Sequence, residues 1–303
     1  MLLVVTAALA ASPPPIINGE TTTDYPEVVL IYASDSSGYG GACTGSLIAE
    51  RWVLTASHCV HSDGSFEVQG VWVSFVNDSN EMDEDNTLSA KAWYEHPDYN
   101  PSTGYNDIAL IELRTKAEGP FMPLTDSKIG RDDVGQDFRI VGFGATSDTD
   151  RSSVQRKRVV DVPLEDYDQS LMHTLDKKDD QNACHGDSGG PVMRLYDDGT
   201  HAVAGIVDFG GSSCMRDGTY SARVDHFQDF IDDHTTDYTV WAEAEPEPEP
   251  EPEPEDEDTD GNADGAGETP GDEVPAVCST SGSAAGLLAA VGAAMALRGR
   301  RRR

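Results

Sequence analysis

Between residues 245 and 255 the chain reads EPEPEPEPEPE, and no packed element can be built through it. Every second residue lacks an amide hydrogen, and neighbouring glutamates repel one another, so neither a helix nor an internal strand can propagate. The run is expected to be an extended, stiff spacer. Residues 256–277 continue it in a looser, Gly-containing form, so a hydrophobic core has to be sought N-terminal to residue 242. Fifteen of the 55 acidic residues fall between Glu243 and Glu273, and the formal net charge is −34. The remainder of the chain is acidic as well, which argues against nucleic acid or an anionic membrane surface as its partner.

Both ends are set apart by composition. Residues 1–11, MLLVVTAALAA, form a short apolar run with Ala8 and Ala10 placed as in an A-x-A cleavage signal, which predicts a secretory signal peptide. Pro13, Pro14 and Pro15 then break any strand pairing, and residues 12–15 are read as a short propeptide. At the other end stand Cys278, an apolar run from Ala284 to Leu297, and five arginines. Counted from Cys278, the segment supplies about the twenty residues that a bilayer core requires, with the arginines held on the cytoplasmic side. Residues 278–303 thus resemble the MYXO-CTERM class of sorting signals, which implies cleavage near Cys278 by a sorting protease and display at the cell surface. A permanent single-pass membrane anchor is the alternative.

From Ile16 to about residue 241 the pattern is one of short strands separated by turn residues: EVVLIYA, SLIAERWVLTA, VQGVWVSFV, DIALIEL, FRIVGFG, PVMRLY and AVAGIVDFG. This predicts an all-β sandwich or barrel pair. Within VDHFQDFIDDH, residues 224–234, Val224, Phe227, Phe230 and Ile231 recur at helical spacing, so a closing amphipathic helix is expected. Cys43, Cys59, Cys184 and Cys214 lie in this part, and in an exported chain they suggest two disulfides. Local spacing leaves all three pairings open.

Peptide hydrolysis near neutral pH needs a nucleophile, a base, a group that orients the base, and donors for the oxyanion. One candidate stands for each. Ser188 lies in GDSGGPV, residues 186–192, where glycines let the backbone turn sharply and aim the Gly186 and Ser188 amides at one point. His58 lies in VLTASHC, directly before Cys59. Asp107 opens the apolar strand DIALIEL, where a part-buried carboxylate needs a partner, and an imidazole N–H supplies one.

The order His, Asp, Ser within these motifs resembles the trypsin and chymotrypsin family, over Ile16 to about Ile231. IINGE, residues 16–20, looks like that family's mature N-terminus, and the resemblance implies that the freed amine of Ile16 pairs with Asp187. It implies disulfides Cys43–Cys59 and Cys184–Cys214, and two six-stranded Greek-key β-barrels with the active site between them. GIVDFG, residues 205–210, resembles the strand along which substrate backbone binds, ending at Gly210. The activity so implied is serine endopeptidase cleavage of proteins or peptides, with no cofactor. A protease-like binding or adhesion module is the alternative.

Several residues depart from the family pattern. Asn182 stands six positions before Ser188, where trypsins carry an Asp at the base of the primary pocket, so a neutral P1 side chain is expected. His185 is expected to line the cleft without a catalytic role. Asp208 replaces a serine that normally hydrogen-bonds the triad aspartate, so its carboxylate is expected beside that of Asp107. Like charges there raise one pKa or attract a cation, which predicts that Asp208 either titrates with the triad or draws a basic substrate residue. Phe209 takes the place of a tryptophan as an apolar wall. Ile16 follows Pro15, so a trypsin-like activator cannot cut there, and another peptidase is required. His61 and His96 are read as surface loop residues, and the acidic loop 77–86 as solvated; no Cys or His cluster has zinc spacing.

Overall fold

Strands such as VVLIYAS and ALIEL show no polar alternation, which in a strand means that both faces are covered. The computed structural model shows how. It describes residues 16–241 except 17–18, 148–155, 180, 212 and 215. Six strands close a first antiparallel barrel: β1 (Val28–Ser34), β2 (Gly40–Ala49), β3 (Trp52–Thr55), β4 (Gly70–Ser74), β5 (Thr87–Glu95) and β6 (Ala109–Leu113), in the order β1-β2-β3-β6-β5-β4 and back to β1. Six more close a second: β7 (Asp137–Gly142), β8 (Arg158–Tyr167), β9 (Leu171–Thr174), β10 (Pro191–Leu195), β11 (His201–Gly210) and β12 (Thr219–Arg223). Their order, β7-β8-β9-β12-β11-β10 and back to β7, repeats that of the first. The two-barrel, all-β expectation is borne out. Two-residue strands at Glu20–Thr21, Leu124–Thr125 and Val240–Trp241 extend the second sheet.

Successive residues of one strand serve different cores. Val29 and Ile31 of β1, Val53 of β3 and Ile111 of β6 fill the first barrel, whereas Val28, Leu30, Leu54 and Leu110 face outward. Those outward residues meet Val141, Phe143, Met193, Val203 and Ile206 of the second barrel in a shared seam. The unbroken apolar runs therefore record a strand pressed between its own barrel and the neighbour. Helix α1 (Gln228–His234) adds Phe230 and Ile231 to the seam. Val224 and Phe227 are buried with them, but α1 starts later than the spacing predicts, because turn hydrogen bonds from the His226 and Phe227 amides to the Arg223 carbonyl precede it.

Two disulfides, Cys43–Cys59 and Cys184–Cys214, are formed as the family resemblance implies. No helix among the described residues is long and apolar enough to cross a membrane. The signal peptide, the Pro/Glu spacer, and the tail with Cys278 lie outside the described residues.

Burial at the seam sets an expected outcome. Leu110→Ala, at a fully buried position, lowers unfolding free energy by about 2–5 kcal/mol, and the exposed Val134→Ala by no more than about 0.5 kcal/mol; equilibrium urea unfolding checks both.

Candidate active site

Thr44 of β2 is fully buried where the barrels meet, and it ties the GDSGG segment to the first barrel. Its amide donates to the Ser188 carbonyl at 2.8 Å, and its hydroxyl donates to the Gly186 carbonyl at 2.8 Å. From the second barrel, the Gly189 amide donates to the Val207 carbonyl at 2.7 Å, and the Val207 amide donates to Gly190 at 2.9 Å. The segment is held on both sides. Gly189 has φ +79°, and a Cβ there would fall 2.1 Å from the Thr55 hydroxyl, so only glycine fits. Gly186, at φ +99°, makes the turn that precedes the serine.

His58 sits in a short 3-10 turn, Ser57–Cys59, which the Cys43–Cys59 bond ties to β2. Asp107 grips it twice. Its Oδ1 accepts from the His58 amide at 2.8 Å, and its Oδ2 lies 2.5 Å from Nδ1. Asp107 is 1 % exposed, whereas a third of the His58 side chain reaches solvent. Burial alone would raise the Asp107 carboxyl, but the hydrogen bonds from His58, with the charge of His58, hold it below the usual carboxylate range. Such a pair fixes the ring and leaves its far nitrogen toward the cleft.

His58, Asp107 and Ser188 line one cleft of about 480 Å³, together with His185, Asp208, Phe209 and Gly210. Ser188 is half-buried and His185 exposed. Phe209 stacks on Tyr220 with ring centroids 5.0 Å apart. Asn182 is placed differently. It is fully buried, its Oδ1 accepts from the Asp176 amide at 3.2 Å, and it is not among the lining residues. The opposite wall comes from Tyr99, Pro101, Ser102, Thr103 and Gly104. Sequence reasoning passed over that loop; its only signal was the turn-rich DYNPSTGYN ahead of the apolar strand DIALIEL.

A trypsin-family model matches residues 16–231. The chain belongs to the trypsin family. It is 30 % identical over 239 residues to serine protease Hayan of Drosophila melanogaster, covering 69 % of this chain and 37 % of that protein. Melanization protease 1 of the same fly is 30 % identical over 240 residues, covering 66 % and 60 %. CLIP domain-containing serine protease B4 of Anopheles gambiae is 28 % identical over 255 residues, covering 72 % and 70 %. The chain spans between 37 % and 70 % of the length of these relatives.

Asp187, directly before the serine, is fully enclosed. Its oxygens accept from the Gly144 amide at 2.7 Å and the Cys184 amide at 2.8 Å. Burial pushes its carboxyl up to about 7, against the pull of those two amides and of Arg158. In a chain still joined at Pro15, the nitrogen of Ile16 is an amide and cannot neutralise it. His61 and His96 are less exposed than their loop reading implied. His61 Nδ1 lies 2.5 Å from Glu95, and the His96 ring packs against Phe227 and Phe230.

A carboxyl raised in the folded state keeps its proton there while the unfolded chain loses it, so its contribution falls as pH rises from about 4 to about 7. In the uncut chain, the stability of wild type relative to Asp187→Asn is therefore expected to fall across that interval and level off above it. Urea midpoints measured at several pH values check this.

Proposed function

We propose that residues 16–241 are a serine endopeptidase domain that hydrolyses peptide bonds through an acyl-enzyme. The observation that carries this is the double grip of Asp107 on His58, in one cleft with a serine whose loop is clamped from both barrels. Ser188 attacks the substrate carbonyl while His58 takes its proton. The Gly186 and Ser188 amides receive the developing oxyanion. His58 then protonates the leaving amine, and water, activated by the same ring, releases the acid. The Ser188 hydroxyl makes no hydrogen bond among the described residues, and its bond to His58 forms when substrate excludes water from the cleft.

Activity requires the Pro15–Ile16 bond to be cut by another peptidase. The freed amine of Ile16 then pairs with Asp187, whose buried carboxyl lacks a cation at hydrogen-bonding distance among the described residues. Specificity favours a neutral P1 side chain, since the part of the cleft lining formed by Ala183, Cys184, Cys214 and Thr219 carries no charged side chain. The two disulfides fit an oxidising compartment, hence export by residues 1–11. Residues 242–277 then act as a spacer and 278–303 as a sorting or anchoring segment that displays the domain at the cell surface. The substrates are proteins or peptides.

Labelling by a fluorophosphonate probe is expected for the processed protein, and its loss in Ser188→Ala and in His58→Ala. Asp107→Asn is expected to lower kcat about 10⁴-fold. Retained labelling of Ser188→Ala would sink the assignment. N-terminal sequencing of the active form is expected to begin at Ile16; a start at Ala11 or Ser12 would show that the Ile16–Asp187 pair is not used.

A further inference from the structure

We propose that Asp208 is a positioning residue that works as a neutral carboxylic acid, its proton hydrogen-bonded to Asp107, so that an acid replaces the usual hydroxyl donor behind the triad carboxylate. The inference rests on the triad reading above and deepens it.

Asp208 comes from β11, where the pairing with β12 shifts register between Val207 and Phe209. Such a shift re-aims a side chain, and here it brings Asp208 to the seam. Polar atoms of His58, Asp107 and Asp208 lie within 4.8 Å of one another. Asp208 is 4 % exposed, and both its oxygens are sealed from solvent without a donor among the described residues. The two contacts from His58 to Asp107 leave lone pairs on that carboxylate for one further donor. Two ionised carboxylates at this separation in a dry wall would repel, whereas one shared proton makes the same contact attractive.

Among the described residues lining the cleft, nothing offers another solution. The cleft lining contains neither Lys nor Arg. The titratable groups facing the pair are His58, already engaged by Asp107, and Tyr99 from the opposite loop. Burial first, then the negative charges of Asp107 and Glu95, keep the Tyr99 phenol protonated, and Glu95 is itself paired with His61. His185, which also lines the cleft, is exposed to solvent. Burial, and then the Asp107 carboxylate, push the Asp208 carboxyl up to about 11, in the direction that the packing demands. A residue so enclosed holds Asp107 in place and does not reach a basic substrate side chain.

The test uses the processed full chain. Asp208→Ala is expected to lower kcat about tenfold while KM moves less than about twofold, and Asp208→Asn, whose amide N–H still donates to Asp107, to recover most of that loss. A downward displacement of the acid limb of kcat/KM by a unit or more in Asp208→Asn would mean that a charge had been removed, and would overturn the proposal. So would loss of a preference for basic peptides. Independently of activity, Tm in a Ser188→Ala background is compared with and without Asp208→Asn. The acid that keeps its proton only when folded costs stability increasingly above about pH 4, so Asp208 is expected to fall behind Asn steadily from pH 4 to 9. A constant difference would overturn the proposal even if the alanine variant does not fold. Because this arm needs no turnover, its failure is separable from failure of the triad reading, which fluorophosphonate labelling decides.

Discussion

One buried side chain holds together groups that come from different barrels. Thr44 sends its amide to Ser188 and its hydroxyl to Gly186, while that hydroxyl accepts from the Phe143 amide at 3.1 Å and its carbonyl accepts from the Thr55 hydroxyl at 2.9 Å. The serine loop, β2, β3 and the segment after β7 thus meet at a single residue. His58 and Asp107 are set by the first barrel alone, through the turn Ser57–Cys59 and the start of β6. The position of Ser188 against them therefore depends on this crossing, where backbone and short side chains approach closely. That is why Gly189 and Gly190 are required: a Cβ on Gly190 would fall 2.8 Å from the Asp187 carbonyl and 2.9 Å from that of Val141.

Three carboxylates are buried in or beside the cleft, and each is compensated differently. Asp107 has an imidazole and an amide. Asp187 has two amides, which are too weak to offset full desolvation, so its carboxyl stays raised until a cation arrives. Asp208 has another acid as its neighbour. A buried charge without a partner shifts its pKa and becomes neutral instead. On the readings proposed above, the same carboxylic acid side chain serves as a fixed anion, a waiting counter-ion and a hydrogen-bond donor, according to what faces it.

Much of this was legible in the sequence because backbone demands write themselves into residue type. Glycines at 186 and 189 are required by positive φ, and the unbroken runs VVLIYAS and ALIEL are required by burial on two faces. Strands with a solvated face were not legible. In β5, TLSAKAWYE, only Ala90 is fully buried, and in β8, RVVDVPLEDY, charges and Pro163 interrupt the pattern, so neither stood out as a strand. Tyr99 escaped notice for another reason: it reaches the cleft from an irregular loop, where periodicity carries no information. The spacing that placed Asn182 relative to Ser188 could not show which way its side chain turns, and it turns toward the Asp176 amide.

The departures from the family pattern are not scattered. Asn182, Asp208 and Phe209 all belong to the second barrel's side of the cleft, whereas His58, Asp107 and the glycines around Ser188 keep the family's residue types. Proton transfer explains the asymmetry, because donor and acceptor must meet within a few tenths of an ångström, and a change of residue type there removes the reaction. A pocket wall has to satisfy only size, polarity and the pairing of whatever it buries. Asp208 lies on the border between these regimes: its carboxyl lies within 4.8 Å of polar atoms of Asp107 and His58, so on the proposal above the group there has to donate a hydrogen bond. A carboxylic acid meets that condition only where burial keeps its proton on, and the sealed, cation-free seam between the barrels is such a place.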